Sequence, residues 1–132
     1  MLFKFVTVAT AFLSVVGASA VNLEARQVGQ LATCTIVTTP SNPPNGGSLL
    51  DEFIILFNQE YSDDLPPGNA IVTGSTSFTG PSGGPYTVTK SLGATGLTAD
   101  ETRAIMRNWQ GQTFAGRGEV GVTSWFINTV TC

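Results

Sequence analysis

Cys34 and Cys132 are the only cysteines in the chain, and they stand near opposite ends of everything that follows its apolar leader. A bond between them forces the first and last elements of the fold to meet, which removes most topologies at once. Whether they bond depends on compartment. Residues 1–20 place Lys4 ahead of an apolar run over 5–17 and then the small triplet Ala18-Ser19-Ala20. That is the pattern of a secretory signal peptide cleaved after Ala20. The apolar run is shorter than the ~20 residues needed to span a bilayer. The sequence therefore predicts a secreted, extracellular protein with a Cys34–Cys132 disulfide. In the chain-entropy account, closing a loop of ~100 residues contributes on the order of 4–5 kcal/mol. The chain has no histidine, so two cysteines make a poor metal site, and no metal or cofactor is expected.

After the signal, residues 21–26 read VNLEAR. The Leu-Glu-Ala-Arg tetrapeptide resembles the short pro-segments of secreted fungal proteins that a kexin-like protease trims. On that resemblance residues 27–132 form one secreted domain. Its cations are Lys90, Arg103, Arg107 and Arg117, set against eight carboxylates. Nucleic acid and anionic membrane surfaces are thus excluded as expected partners, because both require a dense basic patch.

Residues 31–39 are β-branched and uninterrupted, and Pro40 stops them, so they read as a strand. Ser48 with Asp51 three residues on opens a helix. Leu50, Phe53, Ile54, Phe57 and Tyr61 recur at helical spacing, with Asp51, Glu52, Asn58 and Gln59 elsewhere on the wheel. Ile55 and Leu56 widen the apolar face and are expected either beneath the second helix or on an exposed patch. Pro66 and Pro67 end the helix. Residues 70–79 and 86–92 read as a hairpin across a Gly/Pro loop. Thr98 and Glu101 form a second capping box ahead of Thr102, Ile105, Met106 and Trp109, and residues 120–132 alternate as a last strand.

The order β-α-β-β-α-β predicts an α+β domain on the split β-α-β, ferredoxin-like plan: a four-stranded antiparallel sheet with two helices on one face. There the first and last strands lie side by side in opposite directions, which brings Cys34 opposite Cys132. The expected core is Phe53, Phe57, Ile105, Met106, Trp109, Ile36, Val88 and Phe126.

Catalytic signals are scarce. The stretch GRGEVG at 116–121 has the spacing of a dinucleotide loop, but that loop needs a strand before it and a helix after it, and the order here is reversed. It reads as a turn. Glu60, Asp63 and Asp64 cluster at a helix end without calcium-loop spacing. The absence of histidine removes the usual Ser and Cys triads, so no enzyme activity is expected.

Threonine and serine crowd the strands. Alternation back from an inward Cys132 sends Thr123, Trp125, Ile127, Thr129 and Thr131 to the far sheet face, together with Thr33 and Thr35. That makes Trp125, Ile127, Thr123 and Thr129 a candidate recognition face for a protein or carbohydrate partner. The competing reading puts Trp125 under a loop or the other subunit of a homodimer.

With secretion, the Leu-Glu-Ala-Arg segment and a Thr/Gly-rich domain, the chain resembles a fungal small secreted protein. Its element order over 31–132 is similar to that of smut-fungus killer toxins and related secreted effectors. The resemblance implies a non-enzymatic interaction protein of effector or defence type acting through a surface. The alternative is a protease inhibitor resembling subtilisin propeptides, which share the element order.

Overall fold

The computed structural model describes residues 29–132. The signal and pro-segment readings, over 1–20 and 21–26, lie outside the described residues. The elements run β1 (Ala32–Pro40), α1 (Leu49–Asp64), β2 (Ile71–Thr79), β3 (Tyr86–Ala94), α2 (Ala99–Arg107), β4 (Thr113–Ala115) and β5 (Ser124–Thr131). The molecule is α+β, with two helices and one antiparallel sheet in the order β2-β3-β1-β5-β4. The sheet has five strands rather than the four expected. The addition, β4, is only three residues of the segment TFA, too short to show a period of two, and it pairs with β5 at the sheet's edge.

Both helix starts follow their caps. The Ser48 hydroxyl accepts from the Asp51 N–H, and Thr98 with Glu101 makes the full reciprocal box. The first helix runs on to Asp64, so Asp63 and Asp64 lie in its last turn and Glu60 just before it, where the helix dipole disfavours carboxylates. Partners offset that effect. Arg117 pairs with Glu60, the Trp109 indole donates to Asp64 at 2.8 Å, and the Gln59 amide donates to Asp63 at 3.0 Å.

The core is aromatic. Phe53 meets Phe57, Phe78, Tyr86 and Trp125, while Trp109 stacks on Phe57 and turns an edge to Phe114. Leu56 is fully buried, whereas Ile55 is 40% exposed, so the two residues left open by the sequence divide between core and surface.

Cys34 and Cys132 form a disulfide. The β1–β5 register, with Thr35 opposite Thr131, sets residues 34 and 132 beside each other, as the meeting of first and last strands requires.

Candidate functional site

The proposed face at Trp125 and Ile127 is overturned: both side chains are fully buried. The cause is a β-bulge. Along β1 and β5 the pairing steps from Val37↔Thr129 to Thr38↔Ile127, so Asn128 is an extra residue on β5. One extra residue inverts the alternation beyond it. Val130 keeps the parity expected from Cys132, while Trp125 and Ile127 swing inward and Phe126 swings out to 43% exposure. Phe126 is therefore surface, not core. Thr123 and Thr129 are exposed as predicted, but Thr123 lies just before β5, its N–H donating to the Asn42 side chain at 2.9 Å. Of the four residues only Thr129 lies within the sheet's outer face.

The inward Trp125 meets a second residue that the sequence placed outside. Glu52 is completely buried, and Oε1 accepts from the Trp125 indole at 3.0 Å and the Arg117 N–H at 2.8 Å, while Oε2 accepts from the Glu119 N–H at 3.2 Å. The GRGEVG stretch is thus a turn folded over a carboxylate, its backbone N–H groups turned to this chain's own Glu52.

The face of the sheet opposite the buried cluster carries the remaining candidate. Two rows cross four strands in register. The first is Ser77, Thr89, Thr35 and Thr131, on β2, β3, β1 and β5 in turn; the second is Thr79, Thr87, Val37 and Thr129 on the same strands. Neighbours along a row are roughly 4.8 Å apart, and the rows are separated by two residues of strand, roughly 6.8 Å. The four strands hold register here because a second bulge on β2, between Thr73 and Thr76, restores the alternation that brings Phe78 inward. Gly74 sits in that bulge, and a Cβ there would lie 2.6 Å from the Ser91 Cβ, so the close approach requires glycine.

The chemistry of these rows is distinctive. Among the described residues, none of the hydroxyls of Ser77, Thr89, Thr35, Thr131, Thr79, Thr87 and Thr129 hydrogen-bonds another protein group. Hydroxyls at the margins do: Thr33 bonds Ser91 at 2.7 Å and Thr39 donates to Asn128 at 2.8 Å. Among the described residues no charged side chain occurs on this face, and every row member is exposed or half-buried. Phe126, opposite Thr39 on β1 and Thr113 on β4, adds one aromatic ring at the β5 end. Each free hydroxyl offers one donor and two lone pairs. The face therefore presents a neutral, repeating hydrogen-bonding surface. Sheet twist of roughly 20–25° per strand curves it, which suits a flexible chain lying along a row better than a planar crystal face.

Inside the sheet lies Lys90, on the buried parity with Val88 and Leu92 and 1% exposed. Its ammonium donates to Thr76 Oγ1 at 2.7 Å, and burial lowers it to about 8. No described helix is long and apolar enough to cross a membrane. No protein family, curated protein or solved structure matches the chain.

Proposed function

We propose that this protein is a secreted, non-enzymatic binding protein of fungal effector or defence type that recognises a neutral glycan chain through the hydroxyl rows of its open sheet face. The strand order β2-β3-β1-β5, with β4 added at one edge, supports a split β-α-β plan for the domain. Secretion is supported by the leader sequence and by the Cys34–Cys132 disulfide. The observation that carries the reading is the set of seven strand hydroxyls, in register and, among the described residues, without a protein partner, on a face where no described side chain is charged. Sugar hydroxyls both donate and accept, as serine and threonine do, so each row matches a repeating polyol without any ionic term. Phe126 supplies the apolar surface on which the C–H face of a sugar ring packs. A protein partner is less well matched, because interface centres concentrate aromatics, Met and Arg, and this face holds a single exposed ring.

The test is co-sedimentation with insoluble β-glucan and with amorphous, acid-swollen chitin and cellulose. The protein should pellet with at least one, be released by the matching soluble oligosaccharide and be insensitive to added salt. Thr89→Lys, an outward substitution in the middle of a row, should abolish pelleting without lowering the unfolding midpoint. Failure to pellet with any of the three, or release by salt alone, overturns the reading.

A further inference from the structure

The sheet ends on β2, and α1 lies alongside that end. Between them runs a groove of about 350 Å3, lined by Ile54, Ile55, Asn58 and Gln59 of the helix and by Ile71 and Thr73 of the strand. β2 pairs with β3 alone, so among the described residues no strand lies along its outer edge. Such an edge is a template for another chain. The groove floor beside it is aliphatic, with Ile55 among the few large apolar side chains left exposed. Within the lining, Asn58 Oδ1 is shielded from solvent and has no hydrogen-bond partner among the described residues. A buried acceptor without a donor is unfavourable.

Charge narrows the occupant further. Residues 49–79, which make up α1, β2 and their connection, contain no lysine or arginine. The helix ends without a basic residue in its last turn, and there Asp63 is exposed with Gln59, a groove residue, donating to it. The negative end of the helix dipole adds to that carboxylate.

We propose that this groove binds an extended polypeptide segment of a partner protein, which adds to β2 as a further strand. A branched aliphatic side chain of the segment seats against Ile54, Ile55 and Ile71, a backbone N–H of the segment donates to Asn58 Oδ1, and a lysine or arginine faces Asp63. Backbone pairing supplies affinity, while the aliphatic floor and the acidic end supply specificity. A second copy of this chain fits less well, since its own β2 region brings no cation to Asp63. The site shares no residue with the hydroxyl rows, so it stands or falls separately from glycan binding.

The test is selection of phage-displayed random heptapeptides on the intact secreted protein, followed by titration of a synthetic enriched peptide. Enriched sequences should carry alternating Val or Ile with a flanking Lys or Arg and no central Pro. Ile55→Lys, at an exposed position, should weaken the peptide at least tenfold, and Asn58→Leu about five- to tenfold. N-methylation of the peptide backbone should abolish binding, and co-sedimentation with glycan should be unchanged in both variants. Enrichment no greater on the wild type than on Ile55→Lys, or equal affinity of an enriched peptide for both, overturns the proposal. So does sedimentation of the free protein as a dimer that Ile55→Lys dissociates, because the groove then holds a second copy.

Discussion

Replacing Lys90 with methionine should make the protein more stable at neutral pH and remove most of its stability gain in mild alkali. Lys90 is 1% exposed, neither ion pair among the described residues includes it, and its ammonium donates to the Thr76 hydroxyl. Burial takes its ammonium from the ordinary 10.5 to about 8. Below pH 8 the folded and unfolded chains both hold the proton, so folding bears the whole desolvation cost. Between 8 and 10.5 the folded chain has released a proton that the unfolded chain keeps, and stability therefore rises with pH. At about 1.4 kcal/mol per pKa unit the full rise is about 3 kcal/mol, of which roughly 1 kcal/mol has accrued by pH 9. Tyr61 acts in the opposite direction: burial raises its phenol, so stability is lost once the unfolded tyrosine ionises near pH 10. The clean window is pH 7 to 9.5. Urea unfolding followed by tryptophan fluorescence should show the wild-type free energy climbing across that window. Lys90→Met should show a nearly flat profile that starts about 1–3 kcal/mol higher at pH 7, the loss of the Thr76 bond offsetting part of the gain. A flat wild-type profile, or the same slope in the variant, would refute the reasoning.

Trp125→Ala should destabilise by about 3–5 kcal/mol in the same assay, since the ring is fully buried against Phe53 and Tyr86. Phe126→Ala, one residue away on the solvent side of the bulge, should cost under about 1 kcal/mol. Glu52→Leu should cost about 2–4 kcal/mol by leaving the Trp125 indole and two turn N–H groups without an acceptor. Cys132→Ser should lower stability by about 2–4 kcal/mol, and intact mass with and without reductant should show one disulfide and no free thiol in the native protein.

Much of this fold is legible in the residues because local signals and long-range demands agree. Both helix caps, the proline stop after α1 and the hairpin across the Gly/Pro loop follow from local chemistry, and the disulfide follows from an even cysteine pair joined to a topology that brings the chain ends together. The exchange of Trp125 and Ile127 for Phe126 has one cause, a shift of parity that no single residue announces. In WFINTVTC the apolar positions Trp125, Ile127, Val130 and Cys132 fall at intervals of two, three and two. The interval of three is the bulge, and strict alternation from Cys132 runs through it and exchanges Trp125 for Phe126. Glu52 was misplaced for a different reason: a carboxylate reads as surface until the turn that folds over it, 65 residues later, supplies its donors. The hydroxyl rows were visible strand by strand, as TCT, TVT and TVT, but their alignment depends on inter-strand register, which includes two bulges.

The central claim, that the aligned free hydroxyls bind a glycan, is tested most directly by changing their number without changing the shape of the face. Threonine and valine are nearly isosteric, and the second row has a single gap, at Val37. Affinity for the best soluble oligosaccharide, measured by titration calorimetry, should fall about threefold to tenfold in Thr89→Val and in Thr35→Val, the loss expected for one hydrogen bond. Val37→Thr, which completes the row, should raise it, with all three variants unfolding within about 1 kcal/mol of the wild type. Unchanged affinity across the three, with binding intact, would contradict the account.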